Sequence, residues 1–159
     1  MAMTVEHPSE LLDVALAEAV AGRGEGGVPI GAALFHRDGR LLSAGRNGSV
    51  QHGDFLAHAE TTAVRAAGEL DDYRDVVLVT SMTPCWYCAG LVRFLGIGTV
   101  VVGDTRTWSD ESLDWLEAAG VTIVRLDDER CHRLFADWLA TEPAAWALPG
   151  SVDGWAGSS

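Results

Sequence analysis

The chain has 159 residues, 48% of them hydrophobic, and 11 basic side chains, all arginine, face 23 acidic ones for a net charge of −12. That length fits a single domain, residues 1–159, with a sizeable core, and the acidic balance argues against a protein that grips a phosphate backbone. No stretch approaches the roughly 20 apolar residues of a membrane span, and the polar, acidic N-terminus does not read as a signal peptide, so a cytoplasmic protein is expected.

Residues 10–22 place apolar side chains at helical spacing up to Gly22, which predicts an amphipathic first helix followed by a glycine-rich turn over 23–27. Residues 28–35 and 40–45, separated by His36-Arg37-Asp38-Gly39, predict a hairpin with an Asp-Gly turn. Residues 47–56 are polar and read as a loop. A helix follows from Ala57, then a short apolar strand over 76–80. Another helix starts at the Thr83-Pro84-Cys85 segment, a strand spans 99–104, and Ser109 or Asp110 caps a further helix. A strand over 121–126 and a helix over 128–141 complete the order, and the Gly- and Ser-rich residues after about 150 read as a flexible tail. Helices alternating with short buried strands predict an α/β fold, a three-layer α/β/α sandwich. Its five-stranded mixed sheet has the first two strands antiparallel and later ones parallel.

Cys85 and Cys88 are three apart, which on a helix puts them on one face, and Pro84 before them fits a helix start. Thiolates are favoured there because the helix field lowers their pKa. The CxxC spacing alone is shared by metal sites, redox pairs and core cysteines. His58 and Glu60 shift that balance. Residues two apart cannot share a helix side, but both can face a site beyond the helix N-terminus, so two helix starts are expected to meet around one ion. His58, Cys85 and Cys88 make three ligands, and no second CxxC or HxxxH pair is present. Cys131, His132, His52 and His36 lack a paired or helix-start context and read as structural or surface residues. Three protein ligands and a water are the pattern of a catalytic zinc site, whereas structural sites close with four. Zinc brings a water pKa down to about 7. Glu60, a carboxylate left out of the ligand set, is suited to take the water proton and hand it to a ring nitrogen and then to a departing amine.

His58-Ala59-Glu60 and Pro84-Cys85-Trp86-Tyr87-Cys88 resemble the signature of the cytidine deaminase superfamily. Residues 28–31 (VPIG), Asn47 eleven residues before His58, residues 101–104 (VVGD), 127–131 (DDERC) and the EPxxW of 142–146 look like yeast-type cytosine deaminases, over roughly residues 10–148. The resemblance implies a homodimer with one Zn²⁺ per subunit, acting on a small heterocyclic base and water, with no nucleic acid or membrane partner. It further implies that Asn47 hydrogen-bonds the base, Ile30 borders the ring, the Thr83 carbonyl meets the leaving amine and the Cys85 backbone N–H fixes the base. Trp108 and Trp146 stand where that family has aromatic lid residues, the former enlarged from Phe. Trp86, Trp115 and Trp138 read as packing.

One departure bears on substrate. Three residues beyond Trp146 the cytosine enzymes carry an acid, and here the position is Pro149. A site built to meet a polar edge discriminates strongly on it. Cytosine or an analogue is the leading substrate, with guanine, another purine or pterin, or creatinine as alternatives. A tRNA adenosine deaminase shares both motifs, and a non-catalytic zinc-stabilised binding protein is the reading in which Glu60 has no role.

Overall fold

In this computed structural model, residues 7–142 are described. The elements run α1 (Pro8–Gly24), β1 (Gly31–His36), β2 (Leu41–Arg46), α2 (Ser49–His52), α3 (Ala59–Ala67), β3 (Val76–Met82), α4 (Trp86–Leu95), β4 (Thr99–Asp104), α5 (Glu111–Ala118), β5 (Thr122–Arg125) and α6 (Glu129–Thr141). The sheet order is β2-β1-β3-β4-β5. β1 lies antiparallel to both β2 and β3, while β3-β4-β5 are parallel. The expected mixed sheet is therefore present, with β3 at its centre where strand direction switches.

The three layers follow from the two-residue period of the strands. On one face Ala32, Leu34, Val76, Leu78, Val100 and Val102 pack with Ala59, Ala63, Ala89 and Val92 of α3 and α4 and with Leu113 and Leu116 of α5. On the other, Ala33, Phe35, Val77, Val79 and Val101 pack with Leu12 and Ala15 of α1 and Cys131 of α6. Glycines let two helices come close. A Cβ on Gly31 would lie 1.9 Å from the Ala15 carbonyl oxygen of α1, and one on Gly45 would lie 2.5 Å from the Ala63 nitrogen of α3. α1 and α3 thus clamp the hairpin from opposite faces, and α3 carries His58 and Glu60 at its start. No helix among the described residues is long and apolar enough to cross a membrane.

Three sequence expectations are corrected. The first helix is longer than residues 10–22, running from Pro8 to Gly24. Proline is well placed at a first helical position, where no N–H partner is needed. Gly22 is a packing position under the Val28 carbonyl rather than a stop. The 47–56 loop holds a single helical turn, α2. Cys85 precedes the helix instead of sharing a face with Cys88 within it, since α4 begins at Trp86. Asp110 occupies the N-cap position of α5 with no side-chain capping bond. The Glu111 N–H is instead met by Ser109 Oγ at 3.3 Å.

Candidate active site

His58 and Cys85 have the same local geometry. Each is the N-cap of its helix with extended backbone, φ −75° and ψ 162° for His58 of α3, φ −66° and ψ 169° for Cys85 of α4. Glu60 and Cys88 follow in the first turns. The two helix starts converge at the C-terminal end of β3, so His58 Nδ1 lies 3.5 Å from both Cys85 Sγ and Cys88 Sγ. The sequence expectation that both helices present their N-termini to one point is met. These three residues could hold a metal ion, with their ligand atoms within 4.8 Å of one another, and no other group of three or more is found among the described residues. Cys131, His132, His52 and His36 stand outside it.

The spacing fits zinc. Bonds of about 2.0 Å to nitrogen and 2.3 Å to sulfur, set tetrahedrally, separate N and S by about 3.5 Å. The donor chemistry fits as well, one imidazole and two thiols at the positive ends of two helices. The hydrogen bond from the Cys88 thiol, with that of His58, outweighs burial and holds Cys85 down at about 4. Cys88 is pushed well up because it shares that proton with Cys85, is buried, and faces Glu60. For His58, burial lowers the pKa, but the hydrogen bond and charge of Cys85 and the charge of Glu60 overcome it, and the net shift is upward.

Glu60 is buried, 5% exposed. Cys88 Sγ donates to its Oε2 at 3.3 Å, and the Thr80 hydroxyl lies 3.2 Å from its Oε1 and 3.0 Å from the Met82 carbonyl. Burial and the Cys85 charge raise its pKa. A buried carboxyl with no cationic arginine partner is costly as an anion. Such cost is the usual sign of a group placed for proton transfer.

Asn47 is also buried. Its Oδ1 accepts from the Ser49 N–H at 3.0 Å and from the Ser49 hydroxyl at 2.7 Å. An N–H can only donate, which fixes the amide orientation. The Asn47 oxygen is thereby committed to Ser49, leaving the NH₂ as its outward donor. The Asn47 N–H bonds the Ile30 carbonyl at 2.9 Å, tying Asn47 to Ile30, which is partly buried between two core clusters. Thr83 is buried, its N–H bonded to the Asp104 carbonyl at 3.0 Å. Trp108 packs with Val28, Met82, Phe135 and Trp138. Trp146 and Pro149 lie outside the described residues.

Beyond Cys85 opens a cleft of about 150 Å³ lined by Pro84, Cys85, Trp86, Trp108, Ser109, Glu111 and Ser112. Trp86 is therefore a cleft wall, 52% exposed, and not the packing residue expected. Trp115 meets it edge-on at 5.9 Å and carries the Arg93 guanidinium 4.5 Å above its ring. Trp138 is core, as expected. Sequence reasoning missed Thr80, Ser49 and Tyr87. Tyr87 stands edge-on to the His58 ring at 5.3 Å. The one available signal was Thr80, a polar residue directly after four apolar ones in the central strand, which burial obliges to find a partner.

A His-Cys-Cys group at two helix starts, with a buried carboxyl beside it on a five-stranded mixed sheet, defines a metal-dependent hydrolytic deaminase. Residues 5–104 match the cytidine and deoxycytidylate deaminase zinc-binding region, and the chain belongs to that family. A cytosine deaminase of Candida albicans is 33% identical over 138 residues, 85% of this chain and 91% of that protein. A solved structure of the guanine deaminase from Nitrosomonas europaea superposes with a TM-score of 0.72 at 25% identity, covering 87% of each chain. A tRNA-specific adenosine deaminase of Buchnera aphidicola is 32% identical over 104 residues, 64% of this chain and 68% of its own.

Proposed function

We propose that this enzyme removes the amino group from a small free heterocycle as ammonia, with His58, Cys85 and Cys88 holding one zinc ion per subunit and Glu60 moving the protons. The observation that carries this reading is the buried Glu60 carboxyl packed against Cys88 but left out of the His-Cys-Cys group. Zinc bound there supplies Lewis acidity, which makes a water nucleophilic at neutral pH. Water adds to the ring carbon bearing the amino group. Glu60 takes one water proton and passes it to the adjacent ring nitrogen, then takes the proton of the new hydroxyl and passes it to the amine, so that C=O forms, C–N breaks and ammonia departs. Asn47 donates its NH₂ to the ring, and Ile30 and Trp108 bound it. The Thr83 carbonyl and the Cys85 N–H orient the amine and the ring.

The relatives divide between pyrimidine, purine and tRNA substrates, and the charge distribution favours a free base over RNA. Arg37, Arg46, Arg74, Arg106, Arg125, Arg130 and Arg133 each sit against a carboxylate, so few guanidinium groups remain to neutralise phosphates. Three free thiols suit a reducing cytoplasm.

The testing experiment is ammonia release from cytosine, guanine, other aminopurines, a pterin, creatinine and a tRNA substrate. Turnover of a free base is expected. Turnover of tRNA alone would overturn the free-base reading, and release from none of them would overturn the deaminase reading as applied to small rings.

The subunit is proposed to be a homodimer. α4 buries Cys88, Ala89 and Val92 on one side yet exposes Trp86, Tyr87 and Phe94 on the other, the last by 84%, and Phe55 and Leu56 ahead of α3 are exposed as well. A helix apolar on both sides calls for burial on both. Sedimentation velocity should give twice the 16.9 kDa chain mass, and a monomer would refute the dimer.

A further inference from the structure

We infer that Glu111 reads the far edge of a fused two-ring substrate, an amino-oxopurine, by accepting a hydrogen bond from an N–H of its second ring; the inference rests on the free-base reading above. The cleft beyond Cys85 is where that second ring goes. Its lining includes Cys85, Trp86, Trp108 and Glu111 but neither Glu60 nor Asn47. A ring in reacting position must touch Glu60 and Asn47, so the occupant of this cleft is something attached to that ring. A single pyrimidine leaves the cleft empty. The space bordered by two tryptophans suits an aromatic ring in chemistry as well as in place.

The backbone that carries Glu111 is anchored at the cleft by its neighbours, and its side chain is exposed. Ser112 Oγ donates to the Pro84 carbonyl at 2.6 Å, stapling the start of α5 to the turn that carries Cys85. Ser109 Oγ accepts from the Glu111 N–H at 3.3 Å. The other acids of this region are spent elsewhere: Asp110, Asp114 and Glu117 all face Arg125. Among the described residues no ion pair takes Glu111, and it is the one carboxylate lining the cleft. A carboxylate only accepts, so the substrate edge it meets must donate. The amide of Asn47 has the opposite sense, since Ser49 occupies its oxygen and leaves the NH₂. A substrate that answers both carries a carbonyl or bare ring nitrogen toward Asn47 and an N–H toward α5. An amino-oxopurine has both, with its imidazole N–H at the end remote from the amino-bearing carbon.

The test compares wild type with Glu111→Ala and Glu111→Gln on guanine, cytosine, 7-methylguanine and 9-methylguanine, following both ammonia release and ligand binding by calorimetry. Wild type should prefer guanine to cytosine. Glu111→Ala should weaken guanine binding and raise its KM by about 10- to 100-fold, as expected for a lost hydrogen bond to a charged group, with kcat nearly unchanged. Glu111→Gln, which keeps an acceptor oxygen, should recover part of the loss. Each methylguanine carries its methyl in place of the single imidazole hydrogen, so both should bind wild type poorly and be indifferent to the substitution. If Glu111→Ala binds and deaminates guanine as wild type does, Glu111 has no such role while the deaminase reading stands. Wild type preferring cytosine would overturn the two-ring assignment. Ammonia release from no ring would sink the function itself, and the calorimetric comparison would still decide whether Glu111 contacts the base.

Discussion

Glu60→Gln is expected to fold, keep its metal and lose ammonia release by about 10²- to 10⁴-fold, the range for removing a general acid–base group. Glutamine preserves the shape and leaves an acceptor for the Thr80 hydroxyl, which in the wild type lies 3.2 Å from Oε1. It cannot take a proton from water or return one to nitrogen. The loss should therefore fall on kcat, with KM little changed. Metal content measured on the same preparation separates this from damage to the site, because Glu60 is not among the three residues whose ligand atoms cluster. A variant with wild-type kcat would remove Glu60 from the chemistry and return the protein to a binding role.

Cys88→Ala should have the larger effect on the molecule as a whole. Cys88 is fully buried and its Sγ stands 3.5 Å from His58 Nδ1 and 3.3 Å from Glu60 Oε2, so one substitution removes a metal ligand and a neighbour of the carboxyl. Zinc affinity should collapse and activity with it. Because an ion that binds only the folded chain adds to its stability, the wild-type Tm should rise with added zinc and fall with chelator, while the Cys88→Ala Tm responds to neither. Cys131→Ala is the control. Cys131 is buried in the opposite core layer among Leu12, Ala15 and Val101, and its loss should cost about 1 kcal/mol of packing and leave metal content intact. Stoichiometric zinc in the Cys88 variant would disprove the ligand set.

The parts of the fold most legible in the sequence were those with a strong period or an unambiguous stop. The β4 strand over 99–104 is a run of valines ended by the acidic turn, and its observed bounds coincide with expectation. Boundaries set by packing were harder. Gly22 looks like a helix terminator in isolation, yet α1 continues through it because the hairpin entry passes close beneath. The candidate metal group was legible because His58, Cys85 and Cys88 are uncommon residue types at informative spacings, with a carboxylate, Glu60, two residues beyond His58. Their supports were not. Ser49 and Thr80 are common residues whose importance arises only once folding aims their hydroxyls at Asn47 and Glu60. Trp86 was assigned to packing for want of anything in the sequence to place it outside the core. Glu111 shares the start of α5 with Asp110 and Asp114, and only the cleft distinguishes it from them.

The strand order also sets where the chain would be fastened. His58 lies in the segment that joins β2 to β3, and both cysteines come directly after β3. The three ligand atoms thus meet beside the strand that pairs antiparallel with β1 on one flank and parallel with β4 on the other, and the Thr83 N–H ties the cysteine segment to the end of β4 through the Asp104 carbonyl. An ion bound there would close a loop between residues 27 apart, removing freedom from the unfolded chain much as a covalent cross-link does. A metal in this position would act as a rivet as well as a reagent, set where the two halves of the sheet share a strand.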